Sequence, residues 1–107
     1  MATTYARMTE KQVQRDIVVF LGLLGYLVSD FSQPRASMQT PGIPDLHAMG
    51  HGHALWIEVK TAKGVVSPAQ AAWHDAARAA GQTVVVARSA ADLVDPLRAL
   101  GAPIAAA

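Results

Sequence analysis

Gly42-Ile43-Pro44-Asp45-Leu46-His47-Ala48-Met49-Gly50-His51-Gly52-His53-Ala54-Leu55-Trp56-Ile57-Glu58-Val59-Lys60 is the stretch of this 107-residue chain whose reading sets the fold. Leu46 to Met49 and Leu55 to Lys60 read as two strands, and Gly50-His51-Gly52-His53 between them has the composition of a hairpin turn. Pro44 cannot donate to a sheet ladder and suits the start of a strand. Residues two apart in a strand share a face, so Glu58 and Lys60 point one way and Ile57 and Val59 the other. If the hairpin pairs about Gly50 to His53, Asp45 comes to lie nearly opposite Glu58.

Two carboxylates that close repel, and one pKa must rise unless a cation sits between them. A hard, oxygen-only site with few protein ligands suits Mg²⁺ or Mn²⁺, which keep several waters and take further oxygens from a phosphate. Such an ion lowers the pKa of bound water and stabilises charge on a phosphoryl oxygen. Lys60 stands where it would orient the attacking water or neutralise the transition state. Together these are the parts of a phosphodiester hydrolase. The plainer alternative is a salt-bridged surface hairpin, and Leu55-Trp56-Ile57 argues against it by reading as an interior strand.

Outward from the hairpin, the rest of the chain reads as alternating helices and strands. Thr9-Glu10-Lys11-Gln12 is a capping box, followed by Val13, Ile17, Phe20, Leu21 and Leu24 at helical spacing and Gly25 as a stop. Glu10 falls on the apolar stripe of that helix. It is either a first-turn acid favoured by the helix dipole or part of a site. Tyr26-Leu27-Val28 is a short strand, and Ser29 to Pro41 reads as a loop. Ser67-Pro68-Ala69-Gln70 starts a second helix that ends at Gly81. Thr83 to Ala87 reads as a strand buried on both faces. Ser89 caps a last helix carrying Leu93, Leu97 and Leu100, broken or restarted at Pro96, and the tail from Ala102 to Ala107 is expected to fray. The order is αβββαβα in a single domain over 1–107, an α/β sandwich of helices on a sheet.

The bulk composition narrows the function classes. There is no cysteine, so thiolate metal sites and disulfides are excluded. The longest uncharged run, Ile17 to Ser29, is too short to span a bilayer, and the N-terminus lacks the pattern of a secretory signal. A cytoplasmic protein is expected. Charged residues make up only 16% of the chain, sparse for a small monomer and in keeping with a buried subunit interface. The net charge of +1 does not announce a nucleic-acid binder. However, Arg7, Lys11, Arg15, Arg35, Lys60 and Lys63 all lie in the part of the chain that holds the carboxylates. His47, His51 and His53 suggest zinc only by their number, since no His-Glu-x-x-His motif is present.

Pro44-Asp45 followed by Glu58-Val59-Lys60 resembles the PD-(D/E)xK nuclease signature. With Gly42, the helical Glu10 and Ser67-Pro68-Ala69-Gln70, the chain more narrowly resembles the VRR-NUC (virus-type replication-repair nuclease) family over roughly Thr9 to Leu93. The resemblance implies a restriction-endonuclease-like core, a central mixed sheet flanked by helices. It implies that Asp45, Glu58 and the Val59 carbonyl bind Mg²⁺ or Mn²⁺ and that Lys60 is catalytic. Glu10 and Gln70 would complete the site from two helices. Stand-alone phage and bacterial members of this kind behave as homodimeric structure-selective endonucleases resembling Holliday-junction resolvases. The expected partners are therefore branched DNA, such as a four-way junction or flap, and a second copy. The alternative is an idle nuclease-fold module that only binds nucleic acid or a protein. The intact trio Asp45, Glu58 and Lys60 argues against it.

Overall fold

Helix α1 (Glu10–Leu23) begins where its capping box dictates: Thr9 Oγ1 accepts the Gln12 N–H, and the Gln12 side chain accepts the Thr9 N–H. Val13, Ile17 and Leu21, spaced by four, are buried on one face. Fully burying such side chains contributes roughly 1.5–3 kcal/mol each. The computed structural model describes residues 8–33 and 40–105. Arg7, Arg35 and the last two residues of the alanine-rich tail lie outside the described residues.

Four strands follow: β1 (Leu27–Asp30), β2 (Leu46–Gly50), β3 (His53–Val59) and β4 (Val84–Ala87). Helix α2 (Pro68–Ala79) lies between β3 and β4 in sequence, and a 3-10 helix (Ala90–Leu93) leads into α3 (Val94–Ala99). The sheet order is β1-β2-β3-β4, with β1–β2 and β2–β3 antiparallel and β3–β4 parallel. The result is an α/β domain with a mixed sheet and three α-helices.

The inner face of the sheet carries Leu46, Ala48, Leu55, Ile57, Val59 and Ala87, which form one core with α1, Leu93 and Leu97. The outer face carries Glu58 and Trp56, and α2 sits on it through His74 and Trp73. The three α-helices end alike. After each, a glycine with φ near +90° lets the following residue's N–H reach back to the carbonyl of the residue five before it: Tyr26 to Leu21, Gln82 to Ala77 and Ala102 to Leu97.

Several expectations are corrected. The first strand runs on to Asp30, into a stretch read as loop, because Ser29 and Asp30 pair with His47 and Leu46. The β-branched run at the end of the sheet is an edge strand with Val85 and Val86 only partly covered, not a strand buried on both faces. Ser89 makes no side-chain cap. The chain instead turns through a 3-10 segment, and Pro96 sits in the first turn of α3, where a missing N–H costs nothing. Nor does the start of the tail fray: Ala102 is buried in the core, and the Arg98 guanidinium donates to the carbonyls of Ile104 and Ala105. The alanine-rich face of α2 (Ala69, Ala72, Ala76 and Ala80) is exposed to solvent.

Gly42 fixes where α2 starts relative to the hairpin. Its φ is +82°, and a Cβ there would lie 2.2 Å from the Ala69 carbonyl oxygen. The Thr40–Pro44 turn thus rests backbone-to-backbone on the first turn of α2. Gly42→Ala combines a left-handed backbone cost of roughly 1–2 kcal/mol with an overpacking cost of similar size. We expect a clear fall in the urea or thermal unfolding midpoint; an unchanged midpoint would disprove the contact.

Candidate functional site

The β2–β3 register pairs Leu46 with Ile57 and Gly50 with His53. Carried one residue further, it sets Asp45 across from Glu58, both on the outer face. Asp45 follows the buried Pro44, and its Oδ2 accepts the Val59 N–H at 2.8 Å, which fixes the carboxylate over the end of β3. The Asp45 carboxyl is also within hydrogen-bonding reach of the Glu58 carboxyl. Val59 itself is fully buried.

Glu58 is only 1% exposed, and α2 grips both of its oxygens. Gln70 Nε2 donates to Oε2 at 3.2 Å, and His74 Nε2 shares a hydrogen bond with Oε1 at 3.1 Å. Gln70 has two tasks at once. Its Oε1 accepts the Ser67 N–H in the capping box while its amide nitrogen serves Glu58. The two readings of Gln70, cap and site member, are compatible because its amide carries both an acceptor and donors.

Lys60 lies one residue past β3. Its N–H continues the parallel ladder by donating to the Ala87 carbonyl at 3.1 Å. The loop beyond it is tied down by Arg88, whose Nη1 donates to Thr61 O and Gly64 O, each at 2.7 Å. Glu10, the first residue of α1, is exposed and lines with Asp45, Lys11, Gln14, Ser32 and Gln33 a cleft of about 380 Å³. The described structure therefore brings Asp45, Glu58, Lys60, Glu10 and Gln70 to one end of the sheet.

The other histidines divide. His47 is on the outer face beside Asp45, tilted against Trp56 with ring centroids 4.4 Å apart. His51 and His53 are at the far end of the hairpin, where their Nε2 atoms bond the Leu24 carbonyl and the Tyr26 hydroxyl. They are tethers to the end of α1 and do not join the carboxylates. Sequence reasoning missed His74 and Arg88. The signal for His74 was available, since it lies four residues after Gln70 on the same helix face. Nothing local marks Arg88, because its three carbonyl partners lie more than twenty residues earlier.

No protein family, curated protein or solved structure matches the chain.

The chemistry of the donor set can still be read directly. Among the described residues, no group of three or more His, Cys, Asp or Glu side chains is arranged to hold a metal ion. What the site offers is two adjacent carboxyls. That set fits a hard cation which retains much of its water and does not fit a four-ligand zinc centre.

The Glu58 carboxyl is pushed up to about 8 from its ordinary 4.5. Burial is the main cause, followed by the hydrogen bond and the charge of Asp45, while Lys60 pulls it partly back. Burial likewise lowers His74, with Arg78 and Lys60 adding to the effect against Asp75. The His74–Glu58 contact at neutral pH is thus a neutral hydrogen bond rather than an ion pair.

This has a consequence for stability. Between 4.5 and about 8 the folded chain keeps a proton on Glu58 that the unfolded chain releases. The stabilisation this gives is complete below 4.5 and is lost as pH rises through about 8. In chelator, wild type should lose unfolding free energy across that window, and Glu58→Gln should flatten the loss. Parallel pH profiles for the two proteins would refute the assignment.

Proposed function

We propose that this chain is a Mg²⁺- or Mn²⁺-dependent endodeoxyribonuclease of the PD-(D/E)xK type, resembling the stand-alone VRR-NUC enzymes. The observation that carries the reading is the meeting of Asp45 and Glu58 side by side, with Lys60 two residues on. Glu58 is held between α2 and Asp45 as a buried, oriented carboxyl. Burying a carboxyl at this cost, in a chain with few charges, is hard to explain by stability alone.

In this reading Asp45, Glu58 and the Val59 carbonyl hold the cation. When bound, it supplies Lewis acidity and a water of lowered pKa. Asp45 is oriented by the Val59 N–H, and Glu58 by Gln70 and His74. Lys60 faces the phosphoryl group, neutralising charge as water oxygen bonds to phosphorus and the bond to the leaving oxygen breaks. The attacking water gives up a proton to solvent, and the leaving oxygen takes one up. Glu10 stands across the cleft from Asp45, suited to a water-mediated role near the cation. A homodimer would set two such sites about a two-fold axis, as cutting both strands of a symmetric junction requires.

The test is a cleavage panel of four-way junction, flap, single-strand and linear duplex DNA with Mg²⁺ or Mn²⁺. Asp45→Ala, Glu58→Ala and Lys60→Ala should each lose about a hundredfold or more in rate. Wild-type rates in both Glu58→Ala and Lys60→Ala would show the mechanism to be wrong.

His74 carries a separate expectation. Groups that orient a metal-ligating carboxylate typically contribute roughly 10- to 100-fold in metal affinity. His74→Leu should weaken Mn²⁺ binding by about that factor in calorimetry, and His74→Gln should recover part of it. Unchanged Mn²⁺ affinity in His74→Leu would remove His74 from the site.

A further inference from the structure

The chain has two tryptophans, two phenylalanines and two tyrosines. Both tryptophans and Phe31 are gathered not in the core but on the outer face of the sheet. Trp56 is the hub: Phe31 lies 5.7 Å away, His47 4.4 Å and Trp73 5.0 Å between ring centroids. None of the four is buried, and Phe31 is 36% exposed. Large rings normally contribute most when fully buried, so a tier of four left partly open to solvent invites a ligand.

Its position indicates which ligand. His47 follows Asp45 by two residues on β2, and Trp56 precedes Glu58 by two on β3, and the two pair directly in the sheet. The tier is therefore one pleat, about 7 Å, from the carboxyls. Phe31 joins the tier from the neighbouring segment, its backbone N–H donating to the backbone carbonyl of Asp45 at 2.7 Å. That separation matches the reach from a phosphodiester to the ring of its own nucleoside. Lys11 lines the cleft with Asp45, and Lys60 flanks Glu58, so cations stand where the adjoining phosphates would run. A base inside a duplex has both faces covered by its neighbours. Only an unpaired base offers a face to stack on protein rings.

We propose that Phe31, His47, Trp56 and Trp73 form a stacking platform for an unpaired nucleobase beside the scissile phosphodiester. The preferred substrate then carries single-stranded nucleotides at the point of cutting, as a flap or an opened junction does. Because every base has a π face, the platform selects strand structure and not base sequence. The place of the cut rests on the nuclease reading above. The stacking itself can be measured without cleavage.

The experiment titrates the full chain, in chelator, with a deoxythymidine 12-mer and with a blunt duplex of similar length. Tryptophan emission and anisotropy are followed for wild type, Phe31→Ala and Phe31→Tyr. Saturating oligothymidine should quench the emission. Phe31→Ala should weaken its binding roughly 5- to 100-fold, with Phe31→Tyr restoring it and duplex affinity changing less than about twofold. Unquenched emission, or equal losses for single strand and duplex, would overturn the platform. If Phe31-dependent single-strand binding holds while no DNA is cleaved, the platform stands and the nuclease reading fails. If wild type cleaves and Phe31→Ala keeps the same ranking of substrates, the platform fails and the nuclease reading stands.

Discussion

The arrangement of this domain depends on how it satisfies one buried carboxyl. Glu58 is near the end of an inner strand of the sheet, beneath α2, and almost wholly removed from water. A carboxyl so placed is costly unless hydrogen bonds replace its hydration. Here three groups replace it: Asp45, one residue before the neighbouring strand, and Gln70 and His74 from the helix above. His74, the one buried residue of α2 among those described, is there as a partner of this carboxyl.

The two faces of the sheet are consequently stabilised by different physics. The inner face is an aliphatic core in which α1, Leu93 and Leu97 cover Leu46, Leu55, Ile57 and Val59, and it needs no directional contacts to hold. The outer face is polar and aromatic. Its helix docks through hydrogen bonds to Glu58, an edge-on contact between Trp56 and Trp73, and the close approach of Gly42 to Ala69. A face built this way gives up some hydrophobic stabilisation in return for fixed geometry. The aliphatic face supports it as a rigid floor: Ile57 and Val59 point into the core while Glu58, between them, points out.

Legibility in the sequence followed locality. The capping boxes at Thr9 and Ser67 form as read, since each is closed within three residues. The hairpin register is as read because the turn from Gly50 to His53 fixes it, and with it the opposition of Asp45 and Glu58. Glycine stops at Gly25 and Gly81 were equally local. The reading failed wherever a distant partner decided the matter. A run of valines cannot say whether it is a central or an edge strand. The residues after Gly101 gave no hint that Ala102 would be buried. The tail stays because Arg98 reaches back to it and Ala102 enters a core assembled from α1 and the sheet.

For the site itself, the sequence alone determined the chemical inventory: two carboxylates, a lysine two residues on, an acid at the start of the first helix and a glutamine at the start of the second. Strand parity and turn length sufficed to pair Asp45 with Glu58, because both act over a few residues. Only the tertiary structure decided that α2 crosses the outer face above Glu58. That crossing gave Gln70 a second task, drew His74 in beside it, and raised the Glu58 carboxyl by burying it. It also decided that the rings of Phe31, His47, Trp56 and Trp73, contributed by four separate elements or turns, stand together. Desolvation and contact between distant segments are properties of the packed chain, and no local pattern of residues encodes them.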